Sequence, residues 1–172
     1  MRSILSFLGV GQAAPDDSDT IRRIAAELDQ LDPDRARYIA AFAFVLSRIA
    51  SADHQVDADE VAVMERLVAE RSGLPAEQAV LVVQMAKSQQ LLFGGTDDFL
   101  VTRELARLAT HEEKLGILDC LFAVAAADNR VRTAEADEIG RIARELRLEQ
   151  PDVSRLRNKY RDVLTVREGF TD

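Results

Sequence analysis

Hydrophobic residues recur at intervals of three and four along most of this chain, which is the spacing of one face of an α-helix. The clearest run covers residues 34–52, where Ile39, Phe42, Leu46 and Ile49 form a single stripe. Strand-like alternation is missing, and Gly and Pro stand at the borders of the helical runs. The pattern predicts an all-α fold, a compact bundle of about seven to eight helices.

Gly and Pro residues mark where several of these helices should end and begin. Gly73 should end one helix, and Pro75 should begin the next in its first turn, where a missing N–H does no harm. Thr110 and Glu113 stand at capping-box spacing and should begin another. The predicted helices with two defined ends span residues 20–31, 34–52, 57–71, 75–93, 96–108 and 151–164.

One stretch of the chain occurs twice. Residues 49–65 read IASADHQVDADEVAVME, and residues 124–140, 75 positions further along, read VAAADNRVRTAEADEIG. We therefore expect an internal helix-elbow-helix duplication. We call the two turns the first and second acidic elbows (residues 53–60 and 128–135). The copies align Asp53 with Asp128, Val56 with Val131 and Glu60 with Glu135.

Length and composition indicate one globular domain. The chain has 172 residues, of which 47% are hydrophobic and 30% charged. Ile4, Leu5, Phe7 and Leu8 suggest a short amphipathic turn, which we expect to dock on the domain or, at most, to make a peripheral membrane contact. We divide the chain into an N-terminal turn and linker (1–18), the helical domain (19–165) and a frayed tail (166–172).

The net charge of −8 disfavours phosphate backbones and anionic lipid as partners, so we expect no binding to nucleic acid. A cation is the more natural ligand. The single cysteine, Cys120, falls within a helical hydrophobic pattern, which excludes a disulfide framework and predicts a buried thiol in a reducing cytoplasm.

The acidic elbows are the candidate site. Dense carboxylates repel one another unless protons or a cation intervene, and hard divalent cations such as Ca²⁺ or Mg²⁺ take oxygen ligands. An EF-hand is excluded, because its glycine and bidentate glutamate positions would hold Ala58 and Met64. The candidate metal ligands are Asp53, Asp57, Asp59, Glu60, Asp128 and Glu135.

Helix capping is the structural alternative for the same acids. Asp57 and Glu60 have capping-box spacing, and Asp53 can accept hydrogen bonds from the N–H groups at the start of the helix. Capping explains the second elbow less well, because Arg132 replaces Asp57 there while Glu135 is kept. Both interpretations stay open.

Other catalytic and metal motifs fail on the sequence. His54 and His111 are the two histidines, and neither has the spacing of a di-iron bundle or a zincin helix. Cys120 has no evident base, so nucleophilic catalysis is disfavoured. A hydrolytic enzyme with the elbow carboxylates as acid and base is a third hypothesis, but it lacks a convergent pocket signature.

The elbow sequences ADHQVDADE and ADNRVRTAE resemble those of the tellurite-resistance TerB family, a domain also found in DnaJ-like co-chaperones. The segments LLFGGTDDFLVTREL (91–105) and LDCLFAVAAAD (118–128) are similar to those of stand-alone bacterial members. The resemblance covers residues 38–164, approximately. His54 and Asn129 replace the glycine that the family usually has after the elbow aspartate.

The resemblance implies a compact helical domain of two related halves. It also implies a cytoplasmic role in stress-response complexes, sometimes near the inner membrane, rather than catalysis. By motif position, Asp53, Glu60, Asp128 and Glu135 take the family's acidic positions, which are proposed to hold divalent metal. We therefore expect a non-enzymatic, divalent-cation-binding adaptor in metal (tellurite) or envelope stress, with a protein partner. The alternative is a metal-free interaction adaptor whose elbows only cap helices.

Overall fold

A computed structural model describes residues 15–50, 58–88, 98–127 and 131–164. The all-α prediction is confirmed, with eight α-helices and one short 3₁₀ helix in the described residues. No helix in these ranges is both long and apolar enough to cross a bilayer. The helices are α1 (Pro15–Asp29), α2 (Pro33–Ala50), α3 (Ala58–Ser72), α4 (Ala76–Lys87), α5 (Asp98–Leu108), α6 (His111–Ala125), α7 (Thr133–Glu145) and α8 (Gln150–Lys159), followed by the 3₁₀ helix Arg161–Val163.

Helix α2 is the centre of the bundle. It is buried on nearly all sides, because small alanines alternate with Phe42, Phe44 and other large apolar residues around its whole circumference. It packs against α1, α4, α5, α6 and α7. The single stripe predicted for this segment is therefore only part of its buried surface, and every neighbouring helix is positioned against α2.

The start and stop signals between α3 and α4 are confirmed. Gly73 follows α3 with a φ of +73°, a left-handed conformation that favours glycine. The Ser72 hydroxyl donates to the carbonyl of Val68 and accepts from the Leu74 N–H. Pro75 then occupies the N-cap position of α4, directly before the first helical residue, Ala76, and forms no side-chain cap. Helix α4 ends at Lys87, short of the predicted residue 93, and residues 89–97 lie outside the described part of the chain.

Two other helix bounds differ from the prediction. Helix α1 begins at Pro15 rather than at residue 20, because the proline suits a first helical turn and acids follow it. The predicted helix 151–164 is divided, because Tyr160 leaves the α conformation and its hydroxyl donates to the Asp119 carboxylate at 2.7 Å. A 3₁₀ helix follows, and its Val163 carbonyl accepts from the Val131 N–H at 2.8 Å.

The two helix pairs predicted to be duplicated correspond to α2 with α3 and α6 with α7. In the sequence, α2 and α6 each precede an elbow, and α3 and α7 each have acidic residues in the first turn. The duplication itself stays a prediction. Residues 51–57 and 128–130 lie outside the described ranges, so the two elbows cannot be superimposed.

Helices α3 and α6 approach each other closely at Gly116. A Cβ built on Gly116 would lie 2.9 Å from the carbonyl oxygen of Arg71 and 3.4 Å from the Cα of Ser72. Both atoms belong to backbone and cannot rotate away. Gly140, on α7, is the matched case without this restriction, because a Cβ there would meet only the Arg144 side chain at 3.9 Å.

We expect Gly116→Ala to lower the free energy of unfolding by about 1–3 kcal/mol, because the added methyl group forces α3 and α6 apart. Gly140→Ala is the control and should raise the free energy of unfolding by about 0.5–1 kcal/mol through helix propensity. Urea denaturation of both variants measures the difference. Equal effects of the two substitutions would contradict the close approach of α3 and α6.

Candidate functional site

The structure describes three of the six predicted metal ligands. Asp59 and Glu60 are exposed in the first turn of α3, and Glu135 lies in the first turn of α7. The other three, Asp53, Asp57 and Asp128, lie outside the described residues. The elbow acids that are described thus stand at the positive ends of two helix dipoles, where a carboxylate is favourable with or without a metal.

Glu135 caps the start of α7. Its Oε2 accepts a hydrogen bond from the Arg132 N–H at 2.7 Å, and its Oε1 lies 4.0 Å from the Arg132 guanidinium. Arginine has no acceptor, so only the glutamate half of a capping box can form. Helix capping therefore accounts for Glu135 in the second elbow. The sequence had indicated that capping explains this elbow less well.

Glu138, about one turn further along α7 than Glu135, contacts Arg48 of α2. Arg48 Nε donates to Glu138 Oε1 at 2.7 Å, and Nη1 donates to Glu145 Oε2 at 2.8 Å. The same Nη1 donates to the buried Thr102 hydroxyl of α5 at 3.2 Å. We call Arg48, Glu138 and Glu145 the ion cluster. The ion cluster joins α2 to α7, and the hydrogen bond from Arg48 to Thr102 links it to α5.

The Arg48 side chain is only 9% exposed. Burial opposes its charge, but the hydrogen bonds with Glu145 and Glu138 outweigh that effect and raise the pKa of Arg48 above its ordinary value. Arg48 lies outside the apolar stripe of α2, and the sequence analysis did not identify its role. The available signal was the spacing of Glu138 and Glu145, which are seven residues apart and so share one face of α7.

The ion cluster brings the last turn of α2 close to α7. Arg48 is two residues before the last residue of α2, which leads into the first elbow. Glu138 follows Glu135 of the second elbow by three residues, about 5 Å along the helix. No group of three or more His, Cys, Asp or Glu side chains positioned to hold a metal occurs among the described residues.

A second polar centre is built around Asp119 of α6. Its carboxylate accepts from Lys159 at 2.8 Å and from the Tyr160 hydroxyl at 2.7 Å, and it lies 3.4 Å from Arg71 of α3. The Tyr160 ring stacks on Phe122 with centroids 5.4 Å apart. Asp119 thus ties α3 and the C-terminal segment to α6.

A cavity of about 660 Å³ lies beside Asp119. It is formed by the end of α3 with the turn into α4, the start of α6, Arg35 of α2 and Leu156 of α8. Arg35 is held in place, since its Nε donates to Gln78 at 2.9 Å and its Nη1 lies 3.5 Å from Glu113. The volume is in the range of small-molecule sites, and the sequence analysis did not predict this cavity.

The buried thiol predicted for Cys120 is confirmed. The residue is fully buried in α6 and forms no disulfide. Burial, and to a lesser degree the nearby Asp119 carboxylate, raises the pKa of Cys120 from 9.0 to about 12. Burial therefore favours the neutral thiol over the thiolate, which is the form that acts as a nucleophile.

Residues 38–158 match the family model described as Tellurite resistance protein TerB, a span that includes both elbows, the ion cluster and most of the cavity lining. Among curated proteins no match was found. Among solved structures no match was found either.

We expect Arg48→Met to lower the free energy of unfolding by about 2–3 kcal/mol, because Glu138 and Glu145 lose their shared partner in a largely buried place. Arg141→Met is the matched control. Arg141 also contacts Glu138, at 3.3 Å, but its side chain is 63% exposed, and its loss should cost under about 0.5 kcal/mol. Denaturant unfolding at neutral pH checks both values, and equal costs would contradict a structural role for the ion cluster.

We expect the Cys120 thiol to make the free energy of unfolding depend on pH, and Cys120→Ala should remove this contribution. The unfolded thiol loses its proton near pH 9.0, whereas the folded one keeps it to about pH 12, so stability is full below pH 9.0 and falls as the pH rises through this window. From pH 7 to pH 10 the native chain should lose about 1.4 kcal/mol more than Cys120→Ala. Urea denaturation at both pH values measures the gap. A constant gap would mean that the fold tolerates the thiolate.

Proposed function

This chain belongs to the TerB family, and we propose that it is a non-catalytic helical module of a tellurite or metal stress response whose acidic elbows bind a divalent cation. The observation that carries the proposal is the ion pair between Arg48 and Glu138. It joins the helix that enters the first elbow to the helix that leaves the second, so it supports a shared location for the two sets of acids.

Charge and ligand chemistry favour a hard cation at this end of the bundle. The net charge of −8 attracts cations, and carboxylate oxygens are the ligands that Ca²⁺ and Mg²⁺ prefer. Asp59 and Glu60 are exposed in the first turn of α3, within reach of an ion from solvent. We infer that they act with Asp53 and Asp57 in the first elbow and with Asp128 and Glu135 in the second.

We further propose that the module acts through a protein partner of a stress-response complex, in the cytoplasm or beside the inner membrane. Phe99 and Leu100, adjacent at the start of α5, are 57% and 53% exposed. Large apolar side chains exposed next to each other support a protein contact. The net negative charge of the chain disfavours nucleic acid as a partner.

A metal-free adaptor is the second candidate, and one observation favours it. Glu135 already accepts a backbone hydrogen bond from Arg132, which explains its position without an ion. In this case the elbows stabilise α3 and α7, and the partner contact is the whole function.

We expect CaCl₂ or MgCl₂ to raise the melting temperature of chelator-stripped protein, because an ion bound only by the folded state stabilises it. At about 100 times the dissociation constant the gain is about 2.7 kcal/mol, or roughly 5–10 °C for a chain of this size. Asp53→Asn with Asp128→Asn should remove the rise. Scanning calorimetry measures both.

The control variant is Asp152→Asn, which changes an acid of α8 that pairs with Arg155 away from the elbows. It should keep the whole cation-dependent rise. Absence of any rise at millimolar Ca²⁺ and Mg²⁺ would contradict the cation site and leave the metal-free adaptor.

A further inference from the structure

The cavity beside Asp119 carries more negative than positive charge. Four carboxylates line it, against the two guanidinium groups of Arg35 and Arg71. Both guanidiniums already have carboxylate partners, Glu113 for the first and Asp119 for the second. An anionic ligand would have to displace one of these partners, so the cavity disfavours anions.

Two of the four carboxylates are not used by the fold. Asp119 is held by Lys159 and Tyr160, and Glu113 caps α6 through the Thr110 N–H at 2.8 Å. Glu70 and Glu112, by contrast, have neither a hydrogen bond nor an ion pair with any residue in the described part of the chain, and both are exposed to solvent. They are therefore available to a ligand.

The rest of the lining favours an aliphatic chain next to the charge. Leu74, Leu115 and Leu156 lie along the cavity, and the first of these is buried while the other two pack on the core with part of their surface exposed. The last turn of α3 also lines the cavity, and the negative end of a helix dipole favours a cation.

A bare metal ion does not fit this arrangement. No three metal-binding side chains converge among the residues described, and about 660 Å³ is far larger than an ion with its first water shell. An organic cation needs only one or two carboxylates within hydrogen-bond distance, and its apolar part fills the remaining volume.

We propose that this cavity binds an aliphatic ammonium or guanidinium group, with Glu70 and Glu112 as its counter-charges and the three leucines against its methylene chain. Two sources have this chemistry: a lysine or arginine side chain of a protein partner, and a free polyamine. The proposal is independent of a divalent cation at the elbows, because Asp59 and Glu60 lie at the opposite end of α3 from Glu70.

The test uses the full chain in metal-free buffer and isothermal titration calorimetry with two probes. One probe is spermidine, and the other is a blocked alanine hexapeptide that contains one lysine and one arginine. Glu70→Gln with Glu112→Gln should raise the dissociation constant of the bound probe about tenfold or more, because each exchange removes a charge-assisted hydrogen bond. Backbone amide NMR shifts should locate the probe at Leu74 and Gly116.

The matched control is Glu27→Gln with Glu77→Gln. These acids are exposed in the last turn of α1 and the first turn of α4, outside the cavity, and their exchange removes the same two charges. This variant should change the dissociation constant less than about twofold, because surface charges at a distance are screened. Binding of the peptide alone identifies a partner side chain, binding of spermidine alone a free polyamine, and binding of both a site open to either.

Three results would overturn the proposal. One is no binding of either probe at millimolar concentration. Another is equal weakening in the two double variants, which would indicate general attraction to an acidic protein. The third is unchanged affinity after Glu70→Gln with Glu112→Gln, which would place the probe elsewhere, for example at the elbows.

Discussion

The burial of α2 on nearly all sides is the constraint on which the rest of the structure depends. Because so much of α2 is buried, the guanidinium of Arg48 has little contact with water, and a buried charge without partners is very costly. Glu138 and Glu145 meet this requirement from a single face of α7. The rotation of α7 about its own axis thus follows from a charge near the end of α2.

Local signals in the sequence predicted much of the fold. Gly73, Pro75 and the Thr110–Glu113 capping box act through the backbone within a few residues, so spacing alone locates them. Features decided by distant contacts were missed. Tyr160 ends α8 because its hydroxyl reaches Asp119 on another helix, and Arg48 is buried because α7 supplies two carboxylates. Periodicity carries no information about either contact.

Capping and cation binding need not exclude each other at the elbows. Glu135 uses Oε2 for the Arg132 N–H at 2.7 Å, while its Oε1 has only a 4.0 Å approach from the Arg132 guanidinium. A carboxylate oriented in this way keeps one oxygen for an ion, much as a hydrogen bond to one side of a metal ligand fixes the direction of the other. The sequence identifies these acids as a group. It carries no information on which carboxylate oxygen caps a helix and which one is available to an ion.

Helix α3 carries both acidic regions, one at each end. Asp59 and Glu60 lie in its first turn, and Glu70 follows Glu60 by ten residues, about 15 Å along the helix axis. This separation exceeds the screening length of roughly 8–10 Å at physiological salt, so a charge bound at one end has little direct effect at the other. Any coupling must pass through the helix itself, which the backbone contact between Arg71 and Gly116 holds against α6. The close approach of α3 and α6 at Gly116 therefore lies where a displacement of α3 would change the lining of the cavity.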